Sequence, residues 1–129
     1  MPESNPLPVT PTERETEILK ILWAHGRLSV RDVYEIMRER ENIAQNTVQT
    51  FLRIMEDKGL VKHTVEGRAF IYEPLYSRTR SVTRFLDHVF DGAADQLVLN
   101  LFKAKNVSKD ELQKIEDLIA SEKKKRGLR

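Results

Sequence analysis

Asn46, Thr50, Arg53 and Asp57 recur at helical spacing, and Thr47 and Gln49 flank them. These are mostly short hydroxyl or amide side chains, able to approach a flat polar edge closely. An amide pairs bidentately with N6 and N7 of adenine, and a threonine meets a thymine methyl or a phosphate oxygen. Such a set is suited to hydrogen-bonded recognition of double-stranded nucleic acid rather than to bond making. The same stretch carries Val48, Phe51, Leu52 and Met55 at i, i+3, i+4 and i+7, the spacing of one buried helical stripe. Gly59 after Lys58 predicts a glycine cap with a cation in the last turn.

Immediately downstream, two β-rich runs, 60–65 and 69–73, flank Glu66-Gly67-Arg68, where the glycine supplies the positive φ of a tight turn. A capped helix followed by a hairpin is the core of a winged helix. Its helix would enter the major groove with its N-terminal residues, Asn46, Thr47, Gln49 and Thr50, toward the bases. Arg53 reads either as a phosphate clamp or as an ion pair with Glu56 or Asp57. Thr47 and Thr50 serve equally as N-terminal caps. Lys62, His63 and Arg68 fall on the wing, where backbone or minor-groove contact is expected.

The elements that must hold this helix are legible upstream. A first helix is predicted over 13–25, with Thr12 and Glu15 at capping-box spacing and Ile18, Leu19, Leu22 and Trp23 as its stripe. Gly26 ends it. Residues 27–29 are too short for a full strand, but suit a brief pairing with the hairpin. A second helix is expected from Val30 to about Arg40, with Ser29 as N-cap and Val33, Ile36 and Met37 as core face. After a turn, the third begins at Gln45 or Asn46, completing a helix-turn-helix.

Charge does not advertise a nucleic-acid partner. Residues 1–76 hold ten Lys+Arg and twelve Asp+Glu, while residues 77–129 hold twelve and eight. The reading half is therefore slightly acidic, and any basic footprint is local: Arg53, Lys58, Lys62, His63 and Arg68. By charge alone, a solvated surface, or a winged helix used only for protein–protein contact, competes with the DNA reading. The chain has no cysteine, which excludes disulfides and thiolate metal sites. It has no apolar run long enough to span a membrane, so no membrane insertion is expected. The opening MPESNPLPVTP lacks signal-peptide features and reads as a flexible leader over 1–11. A cytoplasmic location is expected. His25, His63 and His88 lie in three different elements, and no nucleophile motif or phosphate loop accompanies them. No catalytic residue, metal or cofactor is expected, and the chain does not read as an enzyme.

Beyond a boundary near 74–77 the pattern is purely helical. Val82, Phe85, Leu86, Val89 and Phe90 stripe a fourth helix that Asp91-Gly92 breaks. Ala93, Ala94, Leu97, Val98, Leu101 and Phe102 stripe a fifth. Ser108 caps a sixth, with Glu111 at the capping-box position and Leu112, Ile115, Leu118 and Ile119 on its face. Three helices in about fifty residues make a weak independent core. Their broad apolar faces pack either against a second copy of the chain or back onto the winged helix, and the breadth favours the copy. The interface would then comprise Val82, Phe85, Leu86, Val89, Leu97, Leu101, Leu112, Ile115 and Ile119. No polar pocket for a small-molecule signal is evident. The expected fold is mostly α with a small β-hairpin: a winged helix-turn-helix domain over 12–76, then a three-helix dimerisation domain over 77–129.

The runs PTERETEILKILW, LSVRDVYEIM, NTVQTFLRIMEDKGLV and GRAFIYEPLYSR resemble the penicillinase and methicillin-resistance repressors, the BlaI/MecI group of winged-helix regulators. The resemblance extends over nearly the whole chain from about Thr12. Its most specific part is Thr47-Val48-x-Thr50-x-Leu52-Arg53, followed by Lys58-Gly59-Leu60-Val61. The resemblance implies a homodimer that binds double-stranded operator DNA, with Asn46, Thr47, Gln49 and Thr50 at the base-facing positions. Some members carry Lys or Arg where Asn46 and Gln49 stand here, so this chain brings two fewer charges to the interface. It further implies release by proteolysis, triggered through a membrane sensor protease that detects β-lactam. The cut falls at an Asn–hydrophobic bond in the dimerisation helices. LVLNLF, 97–102, resembles that segment, with the bond between Asn100 and Leu101 at the matching place. The family's usual Phe comes one residue later here. From the residues alone, Asn100 reads as an ordinary helix-end position. A copper-responsive branch of the wider family uses a C-terminal cysteine cluster, which this chain lacks.

Overall fold

A computed structural model describes residues 10–129. The leader expected over 1–11 lies outside the described residues except for Thr10 and Pro11. In chain order the elements are α1 (Glu13–His25), β1 (Leu28–Ser29), α2 (Val30–Met37), α3 (Gln45–Asp57), β2 (Val61–Glu66), β3 (Ala69–Pro74), α4 (Arg78–Phe90), α5 (Ala94–Ala104) and α6 (Lys109–Lys125). The chain divides into two units, the first running through Val82 and the second starting at Thr83.

In the first unit, reciprocal capping boxes set the starts of α1 and α2. The Thr12 N–H donates to Glu15 Oε1 (2.9 Å) and the Glu15 N–H donates to Thr12 Oγ1 (3.2 Å), a reciprocal capping box. Ser29 and Asp32 repeat the device at α2, at 3.1 and 3.0 Å. Ile18, Leu19 and Leu22 of α1 meet Val33 and Met37 of α2 and Val48, Leu52 and Met55 of α3 in one core, closed by Leu60, Val61, Tyr72 and Tyr76. Trp23 reaches the end of the hairpin segment, where its Nε1–H donates to the Tyr76 carbonyl at 2.8 Å.

Three details differ from the sequence reading. α2 stops at Met37, short of Arg40, because Met37 is its last core residue. Beyond it, Arg38-Glu39-Arg40 has no apolar side chain to bury, and the Arg40 and Glu41 N–H groups both turn back to the Met37 carbonyl (3.1 and 3.3 Å). Tyr34, rather than Ile36, packs against the core from α2. Phe51 is only half-buried, lying beneath the Arg14 guanidinium, 5.8 Å from the ring centroid. The short pairing near residue 28 does form: Leu28 opposes Tyr72 and Ser29 opposes Ile71, giving a three-stranded antiparallel sheet in the order β1-β3-β2.

The end of α3 launches the wing. The Leu60 N–H donates to the Met55 carbonyl (2.9 Å) and the Gly59 N–H to the Glu56 carbonyl (3.0 Å), with Gly59 at φ 79°. This is a Schellman closure, and its usual apolar contact is supplied by Leu60 and Met55, both in the core. Lys58 does not simply complement the helix dipole. Its Nζ donates to both carboxylate oxygens of Glu15, at 3.0 and 2.8 Å, joining the end of α3 to the start of α1. Glu15 is only 2% exposed. Burial by itself raises its carboxyl pKa. The hydrogen bonds from Lys58 and from Thr12, with the Lys58 charge, outweigh that and hold it below the ordinary value.

In the second unit, Asp91 (φ 50°) and Gly92 (φ 82°) turn the chain between α4 and α5. Ser108 Oγ accepts the Glu111 N–H at 3.1 Å to start α6. Phe85 and Phe90 meet edge to face, centroids 6.0 Å apart. No residue from 83 to 129 is buried.

A carboxyl whose pKa is depressed on folding contributes stability above its unfolded pKa, and that contribution is lost as pH falls through the folded one. Urea midpoints should therefore fall as pH drops below about 4.3, the ordinary glutamate value. Glu15→Gln should lower stability at neutral pH by about 1–3 kcal/mol and flatten this acid dependence. An unchanged acid limb in the variant would show that the pair does not carry it.

Candidate nucleic-acid interface

α3 presents two chemically opposite faces. Val48, Leu52 and Met55 are fully buried, whereas Asn46, Thr47, Gln49, Thr50 and Arg53 are all exposed. No side chain caps its N-terminus: the N-cap is Ala44, with extended backbone. Thr47 therefore does not serve as the cap. The Thr50 hydroxyl donates to the Asn46 carbonyl at 3.0 Å and keeps its acceptor capacity.

The hairpin stands beside this helix. Gly67 (φ 64°) and Arg68 form a two-residue turn with glycine at its first position, as a type II′ hairpin requires. Val65 opposes Phe70 and His63 opposes Tyr72. Alternation then places His63, Val65, Phe70 and Tyr72 on one face of the wing. A groove of about 500 Å³ lies between this face and α3. Gln45, Gln49, Arg53 and Glu56 line it from the helix, and His63, Phe70 and Tyr72 from the hairpin. Arg31, in the first turn of α2, and Arg68, in the wing turn, lie at its borders.

Each expected site residue has a definite place. Gln49, Arg53 and Arg68 come together on the groove. Asn46, Thr47 and Thr50 are exposed on α3 but do not line it. Lys62 alternates with His63 and so belongs to the other face of the wing, where its Nζ lies 3.6 Å from Glu73 Oε1 on the paired strand. Two more residues of the local basic footprint also have internal partners: Lys58 is bound to Glu15, and His63 Nδ1 lies 2.6 and 2.8 Å from the two Glu56 oxygens. Arg53 makes no ion pair with Glu56 or Asp57, and neither Arg53 nor Arg68 has a carboxylate partner among the described residues. Burial pushes the Tyr72 phenol above its ordinary value, with the Glu56 charge adding and the Arg53 charge opposing.

Sequence reasoning did not select Arg31, Gln45 or Phe70. Arg31 sits two residues after the Ser29 N-cap, which places it in the first turn of a helix that must cross α3. Phe70 was recoverable from strand alternation, two positions before the buried Tyr72. Among the described residues, no group of His, Asp and Glu side chains could hold a metal ion, and no helix is long and apolar enough to cross a membrane.

The apolar positions expected at the helical interface are mostly uncovered. Val82, Phe85, Val89, Leu101, Leu112 and Ile119 are exposed, and Leu86, Leu97 and Ile115 are half-buried. Asn100 and Leu101 lie inside α5, and Asn100 Nδ2 donates to the Gln96 carbonyl at 2.9 Å.

Comparison with known proteins agrees with this geometry. Residues 11–121 match the family model described as penicillinase repressor. The chain is 24% identical over 119 residues to the penicillinase repressor of Bacillus licheniformis, covering 89% of this chain and 93% of that one. It is 21% identical over 109 residues to the methicillin resistance regulatory protein MecI of Staphylococcus aureus strain N315, covering 81% and 89%. The solution structure of the DNA-binding domain of the repressor BlaI superposes with a TM-score of 0.51 at 26% identity, over 60% of this chain and 93% of that one. With the winged helix, the exposed α3 face and the match over residues 11–121 together, the chain belongs to the penicillinase repressor family, a family of transcriptional repressors and not of enzymes.

Proposed function

We propose that this repressor acts as a homodimer on a roughly palindromic operator, reading bases with the start of α3 and gripping the backbone with Arg53 and the wing. One observation carries this reading. The outward face of α3 offers Asn46, Gln49 and Arg53 to solvent with no cap or ion pair engaging them, and Arg68 borders the same groove. Asn46 and Gln49 are the residue types that read adenine bidentately. Thr47 and Thr50 supply phosphate or methyl contacts, and Lys62 contacts backbone from the far face of the wing. Phosphate contacts set register while base contacts specify sequence.

The helical half is the dimerisation half. Its α4–α6 segment has no buried residue, yet it exposes Phe85, Val89, Leu101, Leu112 and Ile119. Apolar area of that kind gains stability only when covered, and a second copy of the same self-complementary stripes is the covering this reading assigns. Dimerisation then gives two readers at fixed spacing, the second at high effective concentration. Release follows from cleavage between Asn100 and Leu101 by a sensor-linked protease, which detaches α6 from the rest. Because that bond lies in a hydrogen-bonded helix, cleavage requires local unwinding of α5. The reading places the protein in the cytoplasm with its DNA.

Gel shifts on DNA upstream of the chain's own gene, run as a salt series, test the core of this reading. A sequence-selective shift that weakens with salt is expected, and no shift at low salt would overturn it. Gln49→Ala should reduce discrimination at one base position by about 1–3 kcal/mol. Arg53→Ala should weaken all sequences evenly and reduce the salt slope by about 1. Val89→Asp should sediment as a monomer and bind operator about 100-fold or more weakly. A dimeric Val89→Asp protein with full affinity would refute the dimerisation scheme.

A further inference from the structure

The groove between α3 and the wing contains a feature that base reading does not use. Phe70 is 46% exposed, although it lies only one strand alternation before the buried Tyr72. Its ring is stacked on His63, centroids 4.2 Å apart and planes within 11°. His63 in turn is fixed from behind. Its Nδ1 lies against the Glu56 carboxylate at 2.6 Å, and its backbone N–H donates to Glu56 Oε2 at 3.3 Å. It is also tilted against Tyr72 at 5.5 Å. His63, held by Glu56 and Tyr72, thus backs the Phe70 ring, which remains exposed where it lines the groove.

The chemistry around that surface is specific. Arg31, Arg53 and Arg68 lie along the groove, Arg31 with its Nε 3.5 Å from Glu35 Oε1, and among the described residues Glu56 is the one carboxylate lining it. Glu56 is engaged by His63 and so is turned away from a free role. Two unpaired guanidiniums, Arg53 and Arg68, beside one exposed aromatic ring match a polymer in which phosphates alternate with an apolar ring. A sugar–phosphate strand has that alternation. An acidic peptide would place its charges on flexible side chains and gain nothing from a fixed flat surface between the cations.

We propose that the stacked His63–Phe70 pair is the seat for a deoxyribose of the bound strand, and that Glu56 is the positioning residue that holds the seat. The proposal rests on the operator-binding reading above and adds a contact blind to sequence and to charge. Packing a sugar on a ring releases no counterion, so its contribution does not vary with salt, unlike that of Arg53. Glu56 joins the end of α3 to β2, so it also sets the angle between reading helix and wing.

The test compares full-length Phe70→Ala, Phe70→Leu, Glu56→Ala and Glu56→Gln with the unaltered chain, on operator and on unrelated duplex, across a salt series. Phe70→Ala should weaken both duplexes about tenfold, the size expected for one uncovered apolar face, with an unchanged salt slope. Phe70→Leu should recover most of the loss. Glu56→Gln keeps an acceptor for the His63 ring and should bind at least as well as the unaltered chain, whereas Glu56→Ala should weaken both duplexes. Thermal midpoints are recorded in parallel. Wild-type affinity in Phe70→Ala, a reduced salt slope, or a loss that tracks the thermal midpoint without rescue by leucine would each overturn the proposal. Failure of the unaltered chain to bind any duplex would instead overturn the operator reading on which it rests.

Discussion

One ion pair joins the beginning of the first helix to the end of the third. Glu15 is nearly inaccessible, yet it is charged, because Lys58 and the Thr12 cap satisfy it from different directions. A buried carboxylate left without those partners would cost several kcal/mol, so the pair has little geometric freedom. It anchors α3 at the residue where Gly59 ends the helix and the chain departs into the wing. The direction of α3 and the starting point of the hairpin are therefore set together. A lysine that resembles a surface cation is thus part of the frame.

The same economy of charge explains how a slightly acidic winged helix can serve a nucleic-acid partner. The acidic groups are not spread evenly over the surface of α3 and the wing. Glu15 is neutralised inside, Glu56 is held by His63, and Glu66 accepts from Arg27 across the sheet at 2.6 Å. What remains uncompensated on the groove is Arg53 and Arg68. Net charge sums over pairs that cancel locally, whereas a ligand responds to the groups that do not cancel. Composition therefore understated a local field that geometry makes plain.

The two units solve opposite packing problems. The first closes a core of twelve buried apolar residues drawn from three helices, the sheet and the loop beyond it. The second, with comparable apolar content along its stripes, buries none of its residues. Helix formation there is secured locally by the Asp91-Gly92 turn and the Ser108 cap. Local signals suffice to form helices of this length on paper, but their stability in solution depends on covering the apolar face.

Sequence alone determined the elements and their order. Capping boxes at Thr12 and Ser29, the glycine closure at Gly59 and the period of the apolar stripes are local, so they could be read without the fold. The exposed identity of Asn46, Thr47, Gln49, Thr50 and Arg53 followed from the same periodicity. The early end of α2 was less legible, because polar residues continue a helix until no core contact remains to hold it. What only tertiary structure decided was which side chains are free and which are engaged. Lys58 with Glu15 is 43 positions apart, Arg27 with Glu66 is 39, and Trp23 with Tyr76 is 53. No local pattern encodes such pairings, since they arise when separate elements pack. They convert a scattered set of charges into a groove with Arg31, Arg53 and Arg68 around a held aromatic ring.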